Sequence, residues 1–247
     1  MKRIFDLIIS GIGLIIFSPV LIPVIIIVWI QDWHSPFYIA PRVGKNNKIF
    51  NMVKLRSMII NADKSGVDST SSYDKRITKT GKFIRKFKLD ELTQLWNVLI
   101  GDMSLVGPRP NVKRETDIYT KKEKKILSVK PGNTDFSSIV FSDEGEILKD
   151  QADPDIAYNQ LIRPWKSRLG LFYIKNKNLV TDLKLIFLTA TAIISKEKAL
   201  NGVSKLLYNL GANNELIEIS LRKKELVPSV PPGANKIVKN REGRIDN

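Results

Sequence analysis

The stretch IFDLIISGIGLIIFSPVLIPVIIIVWI, residues 4–30, carries a single charged side chain, Asp6. As a straight helix rising about 1.5 Å per residue it is about 40 Å long. A bilayer's hydrocarbon core needs about 30 Å, so the segment is long enough to span. It is too long for a signal peptide, and no small-x-small cleavage site precedes the polar part. Both of its flanks are cationic, with Lys2 and Arg3 before it and Arg42, Lys45 and Lys48 after it. A simple span leaves one of these sets on the wrong side, because cationic flanks resist translocation. Ser18 and Pro19 sit midway, where proline removes one backbone hydrogen bond and crowds the preceding turn. The Ser18 hydroxyl is placed to satisfy the freed carbonyl, and Pro23 adds a second interruption. The preferred reading is a re-entrant helix-break-helix with its membrane break at Ser18 and Pro19 and both flanks on the cytoplasmic face. Trp29 and Trp33 suit the interfacial zone where the chain leaves the lipid.

Working outward, 247 residues make one large domain, or one domain plus appendages. Lys and Arg number 40 against 25 Asp and Glu, a net charge of +15, which favours phosphates, nucleic acid or anionic headgroups. The chain has no cysteine and one histidine, His34. That excludes disulfide scaffolds, cysteine nucleophiles, thiolate or histidine-rich metal sites and a histidine-based triad in the body of the chain. Chemistry is left to carboxylates, Arg and Lys, hydroxyls and a hard cation. Residues 42–88 hold thirteen of the cations against three aspartates, a surface suited to an anionic leaflet, where each cation adds about 1 kcal/mol. No nucleic-acid partner is expected: there is no helix-turn-helix or finger signature, and Tyr73 is the only aromatic between 51 and 82.

Residues 48–58, KIFNMVKLRSM, read as a short strand with Ile49, Met52 and Val53 buried. Lys54 and Arg56 fall two apart on one face, either solvated or both aimed at a phosphate. The polar run 61–80 reads as a long surface loop, disordered or a functional lid. From 82 to 100 the period becomes helical: Phe83, Phe87, Leu92, Leu95, Trp96 and Leu99 form one stripe, with Gly101 as the residue after the helix. Its opening KFIRKFK suits a helix lying in a headgroup interface. The pair Asp90–Glu91 follows. Such a pair is often solvated decoration, but Arg85, Lys86 and Lys88 within two turns would keep a carboxylate ionised, as a nucleophile or metal ligand must be. In GDMSLVGPRP, 101–110, Arg109 lies between two prolines; this is either a structural corner or a rigid guanidinium for a bidentate phosphate contact. Further on, 182–194 reads as a helix on membrane or core. Residues 196–226 read as two short helices about Gly211, and residues from 227 as a disordered basic tail.

These residues resemble the bacterial sugar transferases, the monotopic polyprenyl-phosphate phosphoglycosyl transferases that start glycan assembly. The matching text is KRIFD (2–6), Ser18-Pro19, VKLRSM (53–58), the D-x-R-x-T-x-x-G run at 74–81, Arg85 and LDELTQLWNVLIGDMSLVGPRP (89–110). KPGNTD (130–135) and DLKLIFLTA (182–190) match more loosely. The resemblance implies transfer of a sugar-1-phosphate from a UDP-sugar to undecaprenyl phosphate with release of UMP. It makes Asp90 the nucleophile of a covalent phosphosugar intermediate and Glu91 the ligand of the required Mg²⁺. Lys54, Arg85 and Arg109 match phosphate-binding positions. It also implies a re-entrant segment dipping into one leaflet of the bacterial inner membrane from the cytoplasm, and allows a homodimer. Many members continue after Lys130-Pro131-Gly132 with a G-W-A-Q-V-N-G-R type of run. This chain has NTDFSSIVFSDEGEIL (133–148) instead, read as altered sugar specificity; the rival reading is an inactive scaffold within a glycan-assembly complex.

The expected fold is mostly α with a small β element, in a monotopic membrane protein with interfacial amphipathic helices. A membrane helix occupies 1–36, a compact cytoplasmic catalytic domain 37–195 with a mobile loop at 61–80, and a helical extension with basic tail 196–247. The sugar itself is not legible.

Overall fold

A computed structural model describes residues 1–62 and 74–240, so most of the expected 61–80 loop lies outside the described residues. The apolar N-terminus forms one helix, α1 (Lys2–Ile30), long and apolar enough to cross a membrane. The helix runs through Pro19 and Pro23 without ending, where the sequence leads to the expectation of a helix-break-helix at Ser18 and Pro19. Pro19 offers no N–H to the Ile15 carbonyl four residues back; the Ser18 hydroxyl donates to that carbonyl instead, at 2.7 Å.

Both ends of α1 are fastened to one body. At its start, Arg3 donates to the Val98 and Leu99 carbonyls, the latter at 2.7 Å. Buried Asp6 accepts from the Ser104 hydroxyl and the Leu105 amide, while Lys2 pairs with Asp182 at 2.6 Å. At its far end Val24 and Val28 pack in a small apolar cluster with Leu55, Ile84 and Leu89. The opposite side of α1 is bare: Ile4, Ile8, Ile12, Ile15, Ile16, Ile22, Ile26 and Ile27 are exposed.

Next come β1 (Phe37–Val43) and β2 (Ile49–Leu55), an antiparallel pair with Tyr38 opposite Lys54. The expected strand is thus present and ends at Leu55, but of the three residues expected to be buried only Met52 is; Val53 is half-buried and Ile49 exposed. Beyond Met58 the D-x-R-x-T-x-x-G run folds as a tight return. Arg76 forks onto Asp74, and Thr78 caps α2 (Lys79–Lys86) by accepting from the Gly81 amide at 2.9 Å. A Cβ at Gly81 would lie 1.8 Å from the Ser57 carbonyl oxygen, so only glycine admits this approach.

The single helix expected over 82–100 is three pieces: α2, then α3 (Leu89–Leu92) and α4 (Leu95–Ile100). The break is Lys88, left-handed at φ 56. A lysine there is strained by about 1 kcal/mol, offset by seating Leu89 against α1. Nor is the aromatic stripe buried: Phe83, Phe87 and Trp96 are about half exposed. With Ile59, Ile60 and Ile100 they extend the chain's exposed apolar surface. Gly101 ends α4 in the left-handed region at φ 99, as its position predicts.

Two short parallel strands, β3 (Ser104–Val106) and β4 (Gly132–Thr134), bring together segments far apart in sequence. Between them lies α5 (Lys113–Asp117), and after them come α6 (Phe136–Val140), α7 (Glu144–Ile147), α8 (Pro154–Ala157), α9 (Arg163–Asn176), α10 (Leu179–Ile194), α11 (Lys196–Asn209) and α12 (Asn214–Leu221). The main core gathers Val98, Met103, Phe136, Ile139, Leu169, Leu185 and Leu207. The two short helices about Gly211 are as expected. The tail differs from expectation up to residue 240: Pro231, Pro232 and Val238 are buried on the body.

Candidate active site

Three backbone junctions build the site. Asn97, fully buried, accepts from the Val53 amide at 2.8 Å and donates to the Asn51 carbonyl at 2.7 Å, pinning α4 along β2. Thr93 adds a bond to the Val53 carbonyl, so Lys54 is held beside the short helix carrying Asp90 and Glu91. The third junction lies at Gly107 and Gly132, whose backbones touch: a Cβ on Gly132 would fall 2.1 Å from the Gly107 nitrogen. That contact sets the Gly107-Pro108-Arg109-Pro110 corner against β4 and delivers Arg109 to α3.

Arg109 Nη2 donates to Glu91 Oε1 at 2.8 Å, and the Asn133 side-chain amide donates to the Glu91 carbonyl at 3.2 Å. The Asp90 carboxyl makes no hydrogen bond among the described residues. Burial pushes Glu91 up, but Arg109, Lys88 and Lys54 outweigh it and hold the carboxyl at about 2. At Asp90 the balance reverses. Burial raises its pKa, opposed by Lys54 and reinforced by the charge on Glu91. The expected lowering by nearby cations is therefore seen at Glu91, while at Asp90 burial shifts the carboxyl the other way. Burial lowers Lys54 to about 8, with Arg109 adding to the fall and the two carboxylates opposing it. Glu91 raises Arg109 most.

Arg85 is held by its Nε on the Ser57 hydroxyl at 2.9 Å and feels the Asp90 charge. Arg56 is not brought to this group. Its guanidinium forks onto Asp32 at 2.5 and 2.6 Å and its Nε donates to the Ser35 carbonyl, tying the chain after α1 to the end of β2. Sequence reading placed it beside Lys54 by strand alternation, but β2 stops at Leu55. Lys54, Arg85, Arg109, Asp90 and Glu91 do converge.

Sequence reading missed Asn97, Asn133 and Ser57, whose polar bonds go to backbone or to one arginine and leave no spaced signature. The variant 133–148 segment also gained a structure. Asp135 caps a short helix and accepts from the Ser137 and Ser138 hydroxyls, and Glu144 pairs with Lys166. Asp135, Ser137 and Lys166 line a small polar pocket against Arg109, with Asn111, Tyr119 and Tyr158.

Among the described residues no three metal-binding side chains cluster. Mg²⁺ needs less, being held by one or two carboxylates plus substrate phosphates. Asp90 and Glu91, adjacent and with oxygens left over from the Arg109 contact, fit that demand.

Two carboxyls and three cations thus meet in one body with a long, exposed apolar helix, and comparison with known proteins gives the class. A family model described as bacterial sugar transferase matches residues 1–196. The chain belongs to the bacterial sugar transferase family. It is 34% identical over 217 residues to an undecaprenyl-phosphate galactose phosphotransferase of Salmonella typhimurium, covering 81% of this chain and 41% of that protein. It is 31% identical over 197 residues to the UDP-N-acetylgalactosamine-undecaprenyl-phosphate N-acetylgalactosaminephosphotransferase of Aeromonas hydrophila, covering 78% and 44%. To the exopolysaccharide production protein ExoY of Sinorhizobium fredii it is 31% identical over 207 residues, covering 78% and 84%. The chain thus spans less than half the length of the first two.

Proposed function

We propose that this chain transfers a sugar-1-phosphate from a UDP-sugar to undecaprenyl phosphate, releasing UMP, by way of an acyl-phosphate intermediate that joins Asp90 to the phosphosugar. One observation carries the reading: a carboxyl with no hydrogen bond among the described residues sits beside a carboxylate held by Arg109, with Lys54 and Arg85 around them. Aspartate is a known phosphoryl acceptor. Its attack on the donor's β-phosphorus forms the Asp90 Oδ–P bond and breaks the bond to the bridging oxygen, which leaves on UMP. Attack by the lipid phosphate then breaks the Asp90 bond and frees the carboxylate. Phosphoryl transfer depends on positioning and charge neutralisation; Lys54, Arg85 and Arg109 supply both. Mg²⁺, bound by Glu91 and the donor phosphates, would neutralise charge on the leaving phosphate.

The membrane reading follows from α1. A helix whose two ends are both bonded to one body presents a single apolar flank to lipid, which supports a re-entrant, monotopic placement over a span; the cationic flanks of α1 support a body on the cytoplasmic face. The 133–148 segment keeps polar side chains beside Arg109, which supports altered sugar specificity over lost activity.

The test is UMP release from a panel of UDP-sugars with undecaprenyl phosphate and Mg²⁺, with Asp90→Asn alongside. Release by the wild type on at least one sugar, absent in the variant, is expected. Equal release by the variant would move the nucleophile elsewhere, and silence across the panel with no UDP-sugar binding would favour the scaffold.

A further inference from the structure

Residues 227–240 lie beyond the residues that the family model matches, yet they are bonded to the body at several points. The Ser229 amide donates to the Gln160 carbonyl at 2.9 Å and Arg168 donates to the Val230 carbonyl at 2.9 Å. The Thr120 hydroxyl donates to the Pro232 carbonyl at 2.5 Å, and Gln160 Nε2 donates to the Val238 carbonyl at 2.6 Å. Gly233 makes the crossing possible. It is left-handed at φ 85, and a Cβ there would meet the Lys122 Cβ at 2.9 Å.

The landing point matters because of what it is bonded to. The Thr120 amide donates to Glu123 Oε2. Glu123, fully buried, pairs with buried Arg163 at 2.7 Å, and Arg163 in turn donates to the Ile118 carbonyl. Between these lies Tyr119, whose hydroxyl accepts from the Asn111 amide at 2.8 Å. Asn111 is two residues from Arg109, and Arg109 holds Glu91. A continuous series of bonded groups therefore runs from the tail to the candidate site, entering through the wall of the pocket that adjoins Arg109.

We propose that residues 229–238 are a strap that positions the Arg109 corner: Thr120 and its neighbours are positioning residues, and the strap sets how well the donor's phosphates are gripped. The kinetic half of this proposal rests on the transferase reading; the positional half does not. Misplacing a phosphate clamp by a fraction of an ångström is costly to rate and binding. The donor should suffer and the lipid acceptor should not, since among the described residues the strap's hydrogen bonds to the body go to Thr120, Gln160 and Arg168 and none to α1, Phe83, Phe87 or Trp96.

The experiment compares three variants of the chain in lipid nanodiscs: a stop after Leu226, a stop after Asn240 and Gly233→Val. Gly233→Val dislodges the strap without deleting it, so it keeps the test valid if the short chain fails to fold. Hydrogen exchange of peptides covering 107–123 should quicken about tenfold in the first and third variants, as local opening is released, while α1 and α10 keep their protection. The stop after Asn240 should match the wild type. In UMP-release assays the same two variants should raise the donor KM about tenfold and leave the undecaprenyl phosphate KM unchanged. Unchanged exchange at 107–123, an equal rise across α1 and α10, or faster exchange with an unaltered donor KM would each overturn the proposal. A wild type that releases no UMP fails the transferase reading alone, and the exchange result then decides the strap by itself.

Discussion

Arg109 bonds Glu91 across eighteen positions of sequence, while the carboxyl of Asp90, the next residue back, makes no hydrogen bond among the described residues. The two carboxyls are adjacent in the chain and opposite in electrostatic condition: one clasped and held at about 2, the other raised by burial. An aspartate with a raised folded pKa weakens the fold as pH climbs through that value, because the charged form is the disfavoured one. Asp90→Asn removes the charge at nearly constant shape. It should abolish UMP release and the covalent intermediate while leaving Tm unchanged or higher, by thermal unfolding in detergent. A lowered Tm would mean that the Asp90 charge stabilises the fold.

Lys54 sets the alkaline limit. Its ammonium, brought down to about 8, is charged below that pH and neutral above it. As a phosphate contact it works only when charged, so kcat/KM for the donor should fall about tenfold per pH unit above about 8. Bound donor phosphates favour the charged form, so the limb on kcat should lie at higher pH. Lys54→Arg should remove the limb from kcat/KM; its persistence would assign the titration to another group.

The Arg56–Asp32 clasp should behave as a fastener. Asp32→Ala and Arg56→Met are expected to speed hydrogen exchange at 28–36 and to lower kcat by about fivefold or less, since neither residue bonds to the site cluster. Loss of activity in Arg56→Met with normal activity in Asp32→Ala would place Arg56 on substrate instead.

Gly132→Ala is expected to be severe. Its Cβ would enter the Gly107 backbone at 2.1 Å, where relief requires moving main chain, at about 3 kcal/mol or more. The thermal midpoint should drop, and UMP release should drop further than the folded fraction does, because Gly107 leads directly into the Arg109 corner.

How far the sequence announces this structure depends on the kind of interaction concerned. The α1 helix, the β2 strand, α10 and the paired α11 and α12 follow from hydrophobic period, and Arg109 was legible from the prolines on either side. Lys88 was not legible. Nothing in its side chain asks for φ 56, and the turn exists because Leu89 has a place against α1. Arg56 was misplaced because alternation says which face a strand residue takes but not where the strand stops. The strap escaped notice for a plainer reason. It is held largely through its own backbone, by the carbonyls of Val230, Pro232 and Val238, and every sequence possesses those.

The two-ended attachment of α1 has a consequence for how the reaction partners meet. A helix tied down at Lys2, Arg3 and Asp6, and again near Val28 and Asp32, cannot tilt independently of the catalytic body. In the proposed placement, with the apolar flank in lipid and a lipid phosphate as acceptor, the height of Asp90 above the acyl chains is a constant of the molecule. The encounter with a lipid-borne phosphate is then a search in a plane, not in a volume. Its rate should respond to lateral viscosity and to the surface density of the acceptor more than to the bulk amount of either partner.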